Sequence, residues 1–112
     1  MVSAEFAAAM PAVLLVLTLA LGAVRIGADE VRVVDAARAG ARAAARGDDE
    51  SAVRGMAGRA APAGSAVDVA REGGDVVVTV TAPAVLDLPL VGPLPAPVAR
   101  ATAAMEGSEG TP

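Results

Sequence analysis

Neither histidine nor cysteine occurs in this chain of 112 residues, so its chemistry must rest on other groups. Their absence excludes Ser–His and Cys–His dyads, thiol chemistry, disulfides, iron–sulfur clusters and most metal sites. Carboxylates remain. Asp68, Glu72, Asp75 and Asp87 fall on strand faces, in a turn or in a loop, and their spacing sets no two of them up as a buried acid–base pair. Asp48, Asp49 and Glu50 open a helical stretch, where adjacent acids read as a cap rather than a metal cluster. The glycines form neither GxGxxG nor GxxxxGKS/T, so no phosphate loop is present. The sequence predicts no enzymatic activity, no cofactor, no metal and no small-molecule substrate.

One carboxylate is placed differently from the rest. Glu5 stands directly before Phe6–Val24, nineteen residues without a charge, and no basic residue precedes Arg25. As helix that run covers about 28 Å, close to the roughly 30 Å of a bilayer's hydrocarbon core. Its centre, AVLLVLTLALGAV, is rich enough in Leu and Val to insert. Three readings fit: a cleaved signal peptide ending near Ala23, a plain single-pass anchor for which Glu5 is incidental, or a helix that leaves the bilayer to pack with other copies. Pro11 lies inside the run and removes the hydrogen bond to the Ala7 carbonyl, which predicts a helix kink there.

Composition bounds what else the chain can do. All nine basic residues are Arg, against thirteen acids, for a net charge of −4, and Phe6 is the sole aromatic. A mildly acidic chain with one ring lacks both the field and the stacking surface for nucleic acid, so none is expected as partner. Most of the 54% hydrophobic content is Ala and Val, so the folded region should have a thin core that benefits from neighbours.

Beyond Arg25 the pattern stays helical. RIGADEVRVVDAARAGARAAARG contains no Pro and ends at Gly47, a natural cap. Asp35, Arg38, Arg42 and Arg46 share one stripe, read as a solvated face; Val33, Ala37, Gly40 and Ala44 form an opposite face of small side chains that lets another backbone approach closely. One helix is therefore expected from about residue 3 to 46, greasy in its first half and amphipathic in its second. A shorter helix starts at Asp48 or Asp49 and stops before Pro62. The period then falls to two. SAVDVARE and DVVVTVTAP flank Gly73-Gly74 as a hairpin over 65–82, with Val67 and Val69 inward, Val76, Val78 and Val80 on one face of the second strand, and Val77, Thr79 and Thr81 on the other. The stretch 83–97 carries five of the eight prolines and predicts a loop without regular elements, its Leu residues covering the sheet edge or meeting a partner. VARATAAM at 98–105 predicts a third strand, and 106–112 a disordered tail. The expected fold is α+β: a long N-terminal helix that serves as membrane segment over residues 1–24 and as stalk beyond, a short second helix, and a small antiparallel sheet of two to three strands within 25–112.

Read together, AEFAAAMP with its following aliphatic run, VDAARAGARAAARGDD and the hairpin resemble the TadE-like family, minor pilin-like proteins of the tight-adherence (Flp) branch of type IV pili, in the short actinobacterial form. The likeness covers residues 2 to about 105. It implies a pilin-like fold and a structural role as minor pilin or pseudopilin in pilus assembly or initiation, and so in adhesion. It further implies that a prepilin peptidase removes a short basic leader, leaving Met1 first and Glu5 fifth. In related pilins that glutamate pairs with the terminal amine of an adjacent subunit, which here assigns Glu5, Met1 and Phe6 to register and assembly. Implied partners are other pilin subunits, the peptidase, the inner-membrane assembly platform and membrane lipid; the implied location is the cytoplasmic membrane, single-pass, with the C-terminal domain outside. The alternative is a membrane-anchored accessory or binding protein that does not polymerise.

Overall fold

The computed structural model describes residues 2–84, 87–88, 92–93 and 96–104. Its architecture is α+β. Helix α1 (Val2–Ala45) and helix α2 (Glu50–Ala60) precede strands β1 (Ala66–Glu72), β2 (Asp75–Thr81), β3 (Asp87–Leu88), β4 (Gly92–Pro93) and β5 (Val98–Ala104). The molecule measures 83 × 23 × 20 Å. That length comes from α1, whose 44 residues rise about 66 Å at 1.5 Å each.

Helix α1 is one element with two environments. Residues 3–21 are exposed throughout and touch no other part of the fold closely enough to be covered. From Asp29 onward one face is buried: Asp29, Val33, Ala36, Ala37, Gly40 and Ala44 recur at three- and four-residue steps. The face of small residues expected over Val33–Ala44 is thus the surface on which the rest of the domain sits. The stripe Asp35, Arg38, Arg42 and Arg46 lies exposed on the far side.

Local chemistry fixes the ends of both helices. Gly47 takes φ +85°, with its amide donating to the Ala44 carbonyl at 3.0 Å and that of Asp48 to Ala43 at 3.1 Å. This is the paired 5→2 and 6→1 closure that glycine permits at a helix C-terminus. Asp49 caps α2, its carboxylate accepting from the Ala52 amide at 2.9 Å. Extended backbone at Ala61 ahead of Pro62 ends that helix.

Three strands form an antiparallel sheet in the order β1-β2-β5. Gly73, at φ +64°, begins the two-residue turn that joins β1 to β2, with Glu72 paired to Asp75. In β2, Val76, Val78 and Val80 point at the helices, flanked by Ala103, Ala101 and Ala99 of β5 and by Arg71, Val69 and Val67 of β1. Helix α1 lies beneath β2 and β5, and α2 fills the space between α1 and β1. The largest fully buried side chains are four valines and Asp29, so the core is as thin as an Ala/Val composition requires.

The structure adds to one expectation and corrects another. Val77 shares the outer face with Thr79 and Thr81, as the alternation predicts, and it is only 8% exposed there. Glu72 lies beyond it on one side and Arg100 on the other, and their side chains meet at 4.0 Å, reaching across β2 above the valine. The proline-rich stretch 83–97 is not free of regular structure: β3 pairs antiparallel with β4, Leu88 opposite Gly92 and Asp87 opposite Pro93. A two-residue ladder needs few backbone donors, so Pro93 at an edge position is tolerated. The base of this excursion is closed by the Ala82 amide donating to the Pro97 carbonyl at 2.9 Å. The leucine side chains of the stretch, Met1 and the tail 106–112 lie outside the described residues.

Candidate functional site

The residues singled out by sequence gather at one end of α1. Glu5 occupies the first turn of the helix, where a negative charge is favoured by the unsatisfied backbone N–H groups and the helix dipole. It is exposed, and Phe6 beside it is 66% exposed. Met1, the amine expected to pair with Glu5, lies outside the described residues. Pro11 sits inside the helix, which runs on without interruption to Ala45.

Beyond Pro11, Val13, Leu14, Leu15, Val16 and Leu17 are each more than half exposed. An 18-residue window within Ser3–Ala45 has mean hydropathy 2.3 and is 6% buried, which makes α1 long and apolar enough to cross a membrane. Ala12, Val16 and Ala20, spaced by four, leave a shallow apolar depression between Val13 and Leu17. Thr18 does not break the apolar character, because its hydroxyl donates to the Leu14 carbonyl at 2.8 Å. This surface can exchange water for lipid tails or for another helix with small residues at matching positions.

A small cavity lies inside the folded end. The cavity between the C-terminal turn of α1, α2 and the hairpin holds about 30 Å³, enough for a water or two. Asp48, Glu50 and Arg71 line it with Val53, Val69 and Val76. The acids there have tasks already: Asp48 pairs with Arg46 at 2.9 Å, and Glu50 with Arg54 at 3.3 Å. Arg54 also ties the two layers together by donating to the Val67 carbonyl at 2.6 Å. No group of three or more metal-ligating side chains occurs among the described residues.

One residue escaped the sequence reading. Asp29 is 1% exposed, the sole buried charged residue among those described, and its Oδ2 has no hydrogen-bond partner. Arg25 approaches to 3.8 Å from a largely exposed position. The signal was available: Asp29 precedes Val33 by four and so falls on the same stripe as Ala37, Gly40 and Ala44. It lies just past the uncharged run, where α1 leaves its exposed stretch and enters the domain.

No protein-family model matches the chain, and no solved structure does. Over 78 residues it is 47% identical to a protein of Mycobacterium tuberculosis named "Apoptosis inhibitor Rv3655c". The match takes in 70% of this chain and 62% of the relative's length.

Proposed function

We propose that this chain is a structural, non-enzymatic subunit, a minor pilin or pseudopilin that helps start, cap or assemble a tight-adherence (Flp-type) pilus. The observation that carries the reading is the division of α1. Its first half is uncovered and apolar with Glu5 as its one charge, while its second half is built into a small domain. A helix so divided has an anchor whose proper surroundings lie outside its own chain. The resemblance of AEFAAAMP and the Ala/Arg stalk to TadE-like proteins adds to it. The mycobacterial relative's name describes an effect on cell death and supplies no mechanism that these residues would carry, so that activity is left with the relative.

In this reading the apolar half first spans the cytoplasmic membrane, with the domain outside, and later packs with other subunits. A carboxylate in hydrocarbon costs on the order of 3 kcal/mol at mid-bilayer and less near the interface. The terminal ammonium of a neighbouring subunit offsets that cost at one axial stagger, and every other stagger leaves both charges unpaired. Glu5 therefore selects register as well as partner. Partners would be other pilin subunits, the prepilin peptidase and the assembly platform.

The deciding experiment determines intact mass and N-terminal residue of protein from membranes and from sheared surface material, alongside Glu5→Ala. Assembly predicts Met1 as the mature first residue, normal membrane insertion of the variant, and loss of the surface form. A mature terminus near residue 24 would overturn the proposal in favour of a secreted domain. An unchanged surface form in Glu5→Ala would remove Glu5 from the assembly contact, and recovery of the parent from membranes alone, with none in sheared material, would reduce the chain to a membrane-anchored accessory protein.

A further inference from the structure

We propose that the exposed back of the stalk docks on the outer sheet face of an adjacent copy standing at the same height in the same membrane. This needs two anchored copies but not the Glu5–amine pair, so it can hold or fail independently of the assembly reading.

The domain carries unmatched charges of opposite sign on opposite sides. On the back of α1, Arg38 and Arg42 are exposed and have no ion-pair partner among the described residues, as is Asp35 one turn below. On the outer face of the sheet, Asp68 and Asp75 are exposed and equally unmatched, beside the Glu72–Arg100 pair. The helices cover the other face of the sheet, so the two sets cannot meet within one copy.

Their heights agree. A Cβ on Gly40 would meet Val78, and Ala44 shares a small cavity with Val76, so α1 runs alongside β2. Four helical residues rise about 6 Å and two strand residues about 6.6 Å, which keeps the two elements in step. Arg38 then stands level with the row Asp68, Thr79 and Arg100, and Arg42 with the row of Val77, two strand residues or about 6.6 Å below Glu72 and Asp75. Asp35 lies just under the level of Arg100. Two parallel copies at one height therefore bring Arg38 to Asp68, Arg42 to the Glu72 and Asp75 end, and Asp35 to Arg100. The uncharged run Phe6–Val24 sets that common height, because it holds each copy at the same depth. Exposed ion pairs are individually weak, and confinement to one membrane raises the local concentration at which they act. Since the two surfaces differ, the contact is heterologous and extends into an open row instead of closing a dimer.

The absence of cysteine makes the test direct. Ala45, on the exposed back of α1 beside Arg38, and Ala70, on the outer face of β1 between Asp68 and Glu72, accept cysteine with little change of size. Within one copy they lie on opposite faces, beyond the roughly 7 Å Cα separation a disulfide spans. The full chain carrying Ala45→Cys and Ala70→Cys, oxidised in its own membrane, should give a ladder of dimers, trimers and higher species. Either single cysteine alone should give no ladder. Arg38→Glu with Arg42→Glu should reduce the ladder about tenfold, as should Asp68→Arg with Asp75→Arg, and combining all four should restore it. Salt near 1 M, where the screening length is about 3 Å, should suppress it in the parent. Circular dichroism of each variant separates lost docking from lost folding. No ladder in the folded double-cysteine protein, or a ladder indifferent to charge reversal, overturns the proposal. A ladder that persists where no surface polymer forms refutes the pilus reading and leaves this one standing.

Discussion

Gly40 is a point of close approach between stalk and sheet, and replacing it by alanine tests that contact directly. A Cβ built there would lie 2.9 Å from Cγ1 of Val78, 3.2 Å from Cβ of Ala57 and 3.4 Å from Cγ2 of Val78. None of these atoms can retreat cheaply. Val78 is fully buried, β-branched and paired between Val69 and Ala101, and Ala57 carries only a methyl on the backbone of α2, also fully buried. Two opposing effects must be weighed. Alanine in a helix interior is favoured over glycine by about 1 kcal/mol. An added methyl group in a packed core costs about 1–3 kcal/mol in displaced backbone and side chains. Packing should win, leaving a net loss of up to about 2 kcal/mol. Gly58 provides the control, since nothing lies within 4 Å of a Cβ there and alanine should stabilise α2 by about 1 kcal/mol. For a folded region of this size, a change of about 1 kcal/mol moves Tm by about 4–8 °C. Thermal unfolding of the full chain in detergent, followed by circular dichroism, should therefore shift downward for Gly40→Ala and upward for Gly58→Ala. Adding Val78→Ala to Gly40→Ala should give a combined loss smaller than the sum of the two, because the clashing methyls are gone. Equal upward shifts for the two glycine variants would refute the close approach of α1 to the sheet.

Other substitutions probe the remaining joints. Asp29→Leu should raise stability by about 1–3 kcal/mol in the same unfolding assay, because it removes a buried oxygen without a hydrogen-bond partner and strands only the exposed Arg25; a drop would mean the carboxylate is held by a favourable contact. Asp49→Ala should lower stability by about 1 kcal/mol through loss of the cap on the Ala52 amide, and Asp49→Asn should recover most of it. Gly47→Val should cost more than about 1 kcal/mol, since φ +85° is strained for any β-branched residue; an unchanged Tm would argue against the α1–α2 corner.

Most of the fold could be read because local signals and tertiary packing agree. Gly47 ends α1 by its backbone freedom, Asp49 starts α2 by its side chain, and Gly73-Gly74 turns the hairpin between strands whose alternation is unbroken. The small-residue stripe on α1 was legible for the same reason: Gly40 in a helix interior has no local advantage, so its presence points to a neighbour. What escaped were effects carried by contacts between distant residues. Val77 is covered by a Glu72–Arg100 pair whose members are twenty-eight positions apart in sequence, and no period announces that bridge. The β3–β4 ladder is too short to leave an alternation. Asp29 was missed because its residue type argued for solvent while its position on the helix argued for burial, and position won. The exposed half of α1 was legible as an apolar helix, but the use of Glu5 depends on another chain.

The continuity of α1 joins the two proposals in one mechanical consequence. Glu5 and Asp29 belong to one unbroken helix, so about 36 Å of rod separates the acid from the point where α1 enters the domain. A rod transmits axial displacement, so any stagger that a Glu5–amine pair imposes at the bottom reappears between the domains at the top. Docking of Arg38 and Arg42 on an adjacent sheet face requires copies at equal height, whereas Glu5 reaching another subunit's terminus requires a displacement along the axis of about four residues' rise, near 6 Å. The two contacts therefore cannot be satisfied between the same pair of copies with straight parallel helices. They belong to different neighbours, or to different stages, with the row in the membrane preceding the staggered fibre. Pro11 stands between them, six residues above Glu5, at the one place in α1 where a missing backbone donor makes bending inexpensive. Pro11→Ala, which restores that hydrogen bond, should leave the cysteine ladder in the membrane intact while lowering recovery of the surface form. A surface form recovered at full yield would show that the helix needs no bend to pass from one neighbour to the other.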